Sequence, residues 1–388
     1  MQLNGTVLNG YGAVVGSGLV LDDAGALVEV LPVAAGTVAD SAWITPGLID
    51  VHCHGGGGAS FPDDARPAQI AQAVAAHRQL GTTAVVASTV SMADPMPVIT
   101  ELAAACDRGE LAGIHLEGPF ISAARTGAQD PKAVSAVDLE KLRSWLVAGR
   151  GWIKTVTLAP ELTEALAAAR LLLDMGAIPS WGHTDATALQ MRTALAETAS
   201  YARQIGWSGV CQTATHLFNA MPPLSHRAPG PVRELLHAAR RGEVVVELIA
   251  DTVHLHPDVV ADVAQLVGDG AYVLVSDAMA GAGMPDGNYV LGGLPVEIIG
   301  GMAHLEKTGA LAGGTARLAE EIARMVRGGS LTLAQAVRAC VATPAAVLHA
   351  TAALPGVTLD FQVGEPVNAV VFTAQLEVAQ VWRAGQRV

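Results

Sequence analysis

Hydrophobic and polar positions follow two different patterns along this chain. From residue 46 to residue 354, short apolar runs alternate with longer stretches whose apolar residues recur at helical spacing. Residues 1–45 and 355–388 instead carry short apolar segments separated by Asn, Gly and Asp, which is typical of consecutive β-strands. The pattern therefore divides the chain into a long middle region and two terminal regions of β type.

The middle region contains eight strand-like runs, at residues 47–54, 82–89, 111–118, 153–160, 178–183, 210–218, 244–251 and 271–277. Helical stretches lie between most of them; residues 67–81 and 161–176 each end in glycine, a frequent helix stop. Eight strands alternating with helices predict a parallel sheet that closes as a (β/α)₈ barrel of the TIM type. An open doubly wound sheet is the alternative, but no glycine-rich dinucleotide loop follows the first strand.

The two terminal regions are predicted to pair with each other, because chain ends often lie close together in a domain. We expect residues 1–45 and 355–388 to form one small β-sandwich domain. Residues 46–354 would then form the barrel domain beside it.

Composition and charge exclude several classes of protein. Hydrophobic residues make up 51% of the 388 positions and charged residues 15%, which suits a large buried core. The formal net charge is -13, the opposite of the basic surplus expected of a nucleic-acid binder. We expect no membrane span and no signal peptide. The four cysteines lie far apart without a CxxC motif, which favours a reducing, cytoplasmic location.

Ionisable residues recur at the C-terminal ends of the predicted strands. They are His52, His54, Glu117, His183, His216, Asp251, His254 and Asp277. A barrel builds its active site from these strand ends, so the residues should converge on one mouth. The strand period of two points His52 and His54 to the same side. Imidazole and carboxylate suit Zn²⁺, with Fe²⁺ or Mn²⁺ as alternatives.

Each of these residues taken alone has a simpler interpretation. A lone buried His is usually satisfied by a backbone carbonyl, and an Asp at a strand end is often a helix cap. Glu117 differs, because it is a carboxylate on an otherwise apolar strand, where buried charge must be compensated. His115 faces the same way as Glu117 and could support the site from behind. Taken together, the pattern predicts a metal site.

With these residues laid out, the chain resembles the amidohydrolase superfamily and, within it, the N-acetylglucosamine-6-phosphate deacetylase family. The resemblance covers essentially the whole chain. Its segments include PGLIDVHCHGGGG (46–58), GIHLEGPFIS (113–122), GHTDAT (182–187), ATHLFNAMPPLSHRAPG (214–230), IADTVHLHP (249–257), LVSDAMAGAG (274–283) and LAGGT (311–315). THLFNAM and HLEGPF discriminate this family from the wider superfamily.

The resemblance implies roles for particular residues. Glu117, His183 and His216 would hold a metal, and His52 and His54 leave open a second metal, or a two-metal site bridged by Glu117. Asp277 would be the catalytic acid/base. The implied substrate contacts are Ala128, Asn219, Ala220, Arg227, Asp251, Thr252, Val253, His254, Leu311, Ala312 and Gly313. In the family the arginine that matches Arg227 reaches the substrate of a neighbouring subunit, which implies a homodimer.

The implied reaction belongs to amino-sugar catabolism. Water activated by the metal would hydrolyse N-acetyl-D-glucosamine 6-phosphate to D-glucosamine 6-phosphate and acetate, with Asp277 transferring the proton. Gln129 stands where the family usually carries a His close to the phosphate. This departure predicts a weaker anion site, or a related substrate such as the galactosamine 6-phosphate or an unphosphorylated sugar.

Two other kinds of protein share parts of this pattern. Dihydroorotases and N-acyl-amino-acid deacylases usually carry a carboxylated Lys at a barrel strand end, and no Lys ends a predicted strand here. A non-catalytic sugar-phosphate binding protein would be expected to have lost Asp277 or a metal ligand, and none of these residues is missing.

Overall fold

The computed structural model describes residues 1–33, 42–349 and 354–388. The N-terminal strands are β1 (Gln2–Leu8), β2 (Val14–Leu21), β3 (Leu27–Leu31) and β4 (Trp43–Pro46). The middle region contributes β5 (Leu48–Cys53), β6 (Gly55–Gly56), β7 (Ala59–Ser60), β8 (Thr82–Thr89), β9 (Gly113–Glu117), β10 (Ile153–Leu158), β11 (Ile178–Trp181), β12 (Thr213–Ala214), β13 (Val245–Leu248) and β14 (Tyr272–Leu274). The remaining strands are β15 (Gly287–Leu291), β16 (Leu294–Ile299), β17 (Met302–Leu305), β18 (Ala369–Phe372), β19 (Val378–Arg383) and β20 (Gln386–Arg387).

The helices lie in the middle region of the chain. They are α1 (Pro67–Arg78), α2 (Met96–Asp107), α3 (Leu139–Ala148), α4 (Ala165–Asp174), α5 (Ala188–Gln204), α6 (Gly230–Arg240), α7 (Pro257–Val267), α8 (Leu318–Arg327), α9 (Leu333–Cys340) and α10 (Ala342–Val347). Among the described residues, no helix is both long and apolar enough to span a membrane.

The predicted (β/α)₈ barrel is confirmed. Strands β5, β8, β9, β10, β11, β12, β13 and β14 form one parallel sheet in that order. A bridge between Cys53 and Ala278 links the first strand to the segment after the last and closes the barrel. Helices α1 to α8 follow the strands in turn, so strand and helix alternate as the hydrophobic pattern indicates.

The barrel strands are apolar because both of their faces are covered. All eight residues of β8, with the sequence TTAVVAST, are buried. Such continuous burial is normal for a parallel sheet with helices outside it, and it replaces the alternation seen in half-exposed strands.

Local sequence also sets helix starts. The Thr187 side chain accepts from the backbone N–H of Gln190, and the Gln190 side chain accepts from the backbone N–H of Thr187 in return. This capping box begins α5.

The chain ends meet in a second sheet, as predicted for a small β domain made from both termini. Its seven strands run in the order β20-β19-β18-β4-β1-β2-β3. Strand β18 pairs antiparallel with β4, with Phe372 opposite Trp43, and this pairing joins the two ends of the chain. The domain boundaries at residues 46 and 354 stay a prediction. Residues 34–41 and 350–353, which fall within or next to them, lie outside the described residues.

One element of the barrel is an insertion that the sequence reasoning did not anticipate. Strands β15, β16 and β17 form a separate antiparallel sheet between β14 and α8. Its buried side, including Leu291, Val296 and Ile298, packs with Val90 and Met279. The insertion therefore lies against loops that follow the barrel strands.

Candidate metal centre and substrate cavity

Six side chains that can bind metal meet at the C-terminal ends of the barrel strands. Each lies at the end of a strand or within three residues after it, and all are buried. We call them the ligand cluster: His52, His54, Glu117, His183, His216 and Asp277. The strand ends converge because the sheet is parallel and closed, as the sequence analysis expected.

The first half of the cluster consists of Glu117, His183 and His216. Glu117 Oε1 lies 3.1 Å from His183 Nε2 and 2.9 Å from His216 Nε2, and the two Nε2 atoms are 3.0 Å apart. These three residues come from β9 and from the segments after β11 and β12. Their donor atoms surround one point, which is the arrangement that a metal ion requires.

The second half consists of His52, His54 and Asp277. The two Nε2 atoms are 3.1 Å apart, and Asp277 Oδ1 lies 3.2 Å from His52 Nε2 and 3.1 Å from His54 Nε2. Glu117 links the halves, since its Oε1 is 3.6 Å from His52 Nε2 and its Oε2 is 3.5 Å from His54 Nε2. The carboxylate of Glu117 thus faces both groups of donors.

The hydrogen bonds behind the cluster show that its donors fit a cation. His183 Nδ1 donates to the backbone oxygen of Arg125 at 2.8 Å, and His52 Nδ1 donates to Glu247 Oε2 at 2.9 Å. A neutral imidazole carries one N–H, so the Nε2 atoms of both rings present lone pairs to the cluster. Lone pairs and carboxylate oxygens at these distances repel one another unless a positive charge lies between them. Histidine nitrogen and carboxylate oxygen are the donors that Zn²⁺ takes in proteins.

The electrostatics of the cluster also favour positive charge. Burial would raise the pKa of Glu117, but neighbouring imidazoles, His183 foremost, hold it well below the ordinary value. Burial would likewise raise the pKa of Asp277, but His52 keeps it below its usual range. For His52 burial acts to lower the pKa, yet the carboxylates of Asp277 and Glu247 raise it to about 10, so the site favours a positive charge at Nε2, supplied by a proton or by a metal ion in its place.

Three members of the cluster have strained backbone conformations. His183, His216 and Asp277 have φ angles of 46°, 27° and 47°, in the left-handed region that residues other than glycine rarely adopt. Each such conformation costs on the order of 1–3 kcal/mol and persists where surrounding packing enforces it. The strain falls on residues whose side chains converge on the cluster, which is where a functional site would require it.

A cavity of about 250 Å³ opens onto the ligand cluster. Six of the substrate contacts implied by the resemblance line it: Ala128, Asn219, Ala220, His254, Leu311 and Gly313. The other five do not: Arg227, Asp251, Thr252, Val253 and Ala312. Arg227 is exposed in the loop 222–229. Asp251 and Ala312 are buried, and Thr252 and Val253 are exposed.

His254 is held in place by Asp251. His254 Nδ1 donates to Asp251 Oδ2 at 2.8 Å, and Asp251 Oδ1 accepts from the backbone N–H groups of Val253 and His254. Burial acts to lower the pKa of His254, but the bond to Asp251 outweighs it and the pKa is raised. The Nε2 atom of His254 is therefore the ring nitrogen left for a molecule in the cavity.

Gln129 lies against the ligand cluster. Its Nε2 donates to Glu117 Oε2 at 2.8 Å, and its Oε1 accepts from the backbone N–H of Ser91 at 2.7 Å. These bonds commit its amide to orienting Glu117. The expectation of a weaker anion site at Gln129 stays a prediction.

His115 lies behind the cluster, where the sequence analysis placed a supporting role. Its ring nitrogens are 3.0 Å from Ser88 Oγ and 2.7 Å from Thr157 Oγ1, and its ring packs edge-on against His52 at 4.5 Å. Burial holds the pKa of His115 well below its ordinary value. A neutral His115 thus fixes the position of the His52 ring from behind.

Sequence reasoning missed two sets of residues. Glu247 was overlooked, although it is a carboxylate in an apolar strand, the same signal that identified Glu117. In the apolar lining of the cavity, Ala128 and Leu311 were expected substrate contacts, but Val90, Leu291 and Ala310 were missed. We call this lining the cavity wall: Val90, Ala128, Leu291, Ala310 and Leu311. Leu291 comes from the insertion, whose position depends on tertiary packing.

Comparisons with known proteins agree with this geometry. The chain matches the amidohydrolase family over residues 43–388. A crystallised variant of N-acetyl-D-glucosamine-6-phosphate deacetylase from Mycobacterium smegmatis, in complex with N-acetyl-D-glucosamine 6-phosphate, is 34% identical and has a TM-score of 0.88, covering 100% of this chain and 98% of that one. The Bacillus subtilis N-acetylglucosamine-6-phosphate deacetylase is 37% identical over 71% of this chain and 68% of its own. An N-acetylgalactosamine-6-phosphate deacetylase from Escherichia coli O157:H7 is 30% identical over 93% of this chain and 91% of its own.

Proposed function

The chain belongs to the amidohydrolase family, and on that premise we propose that it is a metal-dependent deacetylase acting on N-acetyl-D-glucosamine 6-phosphate. The products are D-glucosamine 6-phosphate and acetate. The observation that carries the proposal is the ligand cluster, in which six buried histidines and carboxylates share one cavity. Relatives named for deacetylation of phosphorylated amino sugars support the substrate class.

The donor atoms support two divalent ions per chain. Glu117, His183 and His216 would hold one, and His52, His54 and Asp277 the other, with the Glu117 carboxylate between them. We infer Zn²⁺ from the mixture of imidazole and carboxylate, with Fe²⁺ and Mn²⁺ as alternatives. When bound, such an ion lowers the pKa of water and polarises an amide carbonyl.

Asp277 and His254 perform the proton transfer and the carbonyl activation. The pKa of Asp277 is held below its ordinary value, so its carboxylate is ionised at neutral pH and can accept the proton of the attacking water. The same carboxyl then returns that proton to the departing amine. His254 is held by Asp251 through Nδ1, and in its protonated, imidazolium form, which Asp251 favours by raising the pKa, it would donate from Nε2 to the carbonyl oxygen as negative charge develops there. One such donor is worth about 3–4 kcal/mol.

Recognition of the phosphate calls for a second chain. Among the described residues that line the cavity, none is Lys or Arg. A phosphate dianion favours the paired N–H groups of an arginine. Arg227 lies outside the cavity of its own chain and is exposed in the loop 222–229. We therefore propose a homodimer in which Arg227 of each chain completes the cavity of the other.

N-Acetyl-D-galactosamine 6-phosphate is the second candidate substrate. A relative named for it covers more of this chain than the Bacillus subtilis glucosamine enzyme does. We also infer a reducing, cytoplasmic location, which rests on cysteines that are all free in the described residues.

Acetate release from a panel of sugars tests the proposed function. The panel contains N-acetylglucosamine and N-acetylgalactosamine, each with and without the 6-phosphate, and the protein is first reconstituted with Zn²⁺. We expect the largest kcat/KM with N-acetyl-D-glucosamine 6-phosphate and no activity after chelation. A preference for the galactosamine epimer would move the assignment to the second candidate, and no release from any sugar would refute the deacetylase.

A further inference from the structure

Glu247 is a buried carboxylate outside the ligand cluster. It lies in β13, within the apolar sequence VVEL, and only 2% of its surface is exposed. A carboxylate so deeply buried is costly unless hydrogen bonds compensate it. The proposed reaction assigns no step to Glu247, so its retention needs another explanation.

One oxygen atom of Glu247 contacts both halves of the cluster. Oε2 accepts from His52 Nδ1 at 2.9 Å and from the backbone N–H of His216 at 3.1 Å. His52 belongs to the second half of the cluster and His216 to the first. The bond to His216 also holds a residue whose φ of 27° is strained.

We propose that Glu247 is a positioning residue that fixes the tautomer of His52 and joins the two halves of the metal centre. Its carboxylate keeps a proton on His52 Nδ1, so that Nε2, which lies beside His54 Nε2 and Asp277 Oδ1, is the nitrogen that would bind the ion. A carboxylate behind a metal-binding imidazole also makes that imidazole a stronger ligand. The proposal rests on the metal-dependent function proposed above.

The other imidazole of the second half shows why this bond matters. His54 Nδ1 is buried and has no hydrogen-bond partner among the described residues. The tautomer of His54 is thus not fixed by a bond of this kind. Within the second half, the orientation of the imidazole donors depends on the bond between His52 and Glu247.

The test is metal binding by the Glu247→Gln variant, which keeps the size of the side chain and removes its charge. We expect the affinity for the second ion to fall 10- to 100-fold while the first ion is retained. Zn²⁺ stoichiometry and affinity are measured by titration and elemental analysis. At a Zn²⁺ concentration that fills both native sites but not a weakened one, the ¹⁵N NMR spectrum should show His52 protonated on Nδ1 and bound to the ion through Nε2 in the native protein, and His52 without a bound ion in the variant.

Glu321→Gln is the matched control. Glu321 is also fully buried, but it lies in α8 and accepts from the backbone N–H of Ala250, which is not a member of the ligand cluster. We expect this variant to bind both ions as the native protein does. If Glu247→Gln does not fold, Glu247→Asp provides the second variant, because it keeps the charge and withdraws it by one methylene. This variant should likewise lower the affinity for the second ion.

If the folded Glu247 variants bind both ions as tightly as the native protein does, the positioning role of Glu247 is overturned. The proposed deacetylase function is not affected by that result. Fewer than two ions in the native protein would also overturn this inference. Acetate release by that same native sample decides the proposed function separately.

Discussion

The ligand cluster and the cavity wall adjoin the same cavity but are built differently. The cluster consists of buried imidazoles and carboxylates whose donor atoms lie about 3 Å apart, supported from behind by hydrogen bonds to Glu247 and from Gln129. The cavity wall is apolar and, in the described part of the chain, contributes no cation for a phosphate. One chain thus assembles its chemistry completely but its recognition of the substrate only in part.

This contrast separates two kinds of effect on kinetics. Changes in the cluster should remove metal or lower kcat, because its groups act on the reacting atoms. Changes in the recognition of the phosphate should alter KM, because they act on a remote part of the substrate. Substitutions in the two regions should therefore separate a loss of metal or kcat from a rise in KM.

Glu117→Gln should abolish the metal centre. The Glu117 carboxylate faces both groups of donors, so its loss removes a ligand from each of them. We expect elemental analysis of the purified variant to find almost no metal and activity to be near background. Glu234→Gln, a change on α6 away from the cavity, is the control and should retain metal. Unchanged metal content in Glu117→Gln would refute the ligand assignment.

Asp277→Asn should lower kcat by roughly 10²–10⁴-fold, because the amide cannot accept the proton of water. Substrate affinity and the ion held by Glu117, His183 and His216 should be retained. Steady-state kinetics and metal analysis on one sample measure both. Near-normal turnover would remove Asp277 from proton transfer.

Arg227→Ala should raise KM for the phosphorylated sugar and leave kcat nearly unchanged. Loss of a charge-assisted hydrogen bond costs about 1.5–3 kcal/mol, which corresponds to roughly 10- to 150-fold in KM. The unphosphorylated sugar is the internal control and should be unaffected. Equal effects on both sugars would mean that Arg227 does not contact the phosphate. Mixing Arg227→Ala with Asp277→Asn chains should restore some activity if the arginine acts across a dimer.

Asp251→Asn should have the smallest effect and should depend on pH. Asp251 holds the pKa of His254 above its ordinary value although burial opposes this, so the variant should lower that pKa, as NMR titration would show. A raised pKa in the folded state stabilises the protein below the unfolded value, about 6.5, and this contribution is lost as pH rises through the folded pKa. The native protein should therefore exceed the variant in stability more at about pH 6 than at about pH 9. A difference in stability that does not change with pH would contradict the pairing of Asp251 with His254. We expect kcat to fall only about tenfold in this variant.

The convergence of the six side chains of the ligand cluster could be predicted because each lies at or just after the end of a barrel strand. The closed barrel converts those scattered positions into one site, so fold class and strand ends were sufficient. The orienting bond from His183 to the backbone oxygen of Arg125 could not be predicted, since a carbonyl leaves no signature in sequence. Glu247 could have been found, because it breaks an apolar strand as Glu117 does.

The cavity wall was harder to predict for a physical reason. Leu291 reaches the cavity only because the β15–β17 sheet packs against Val90 and Met279, and Val90 lies about 200 residues before it in the chain. Hydrophobic period indicates which residues of a hairpin are buried, but not against which surface. For the same reason, the residues that line the sugar cavity are harder to predict from sequence than those of the ligand cluster.

Anomalous X-ray diffraction from crystals of the zinc-reconstituted protein tests the central claim most directly. We expect two ions roughly 3.5–4 Å apart, one bound by Glu117, His183 and His216 and the other by His52, His54 and Asp277. The Glu117 carboxylate should contact both. Zinc bound only elsewhere, or absent from the cluster while the six side chains keep their positions, would contradict it.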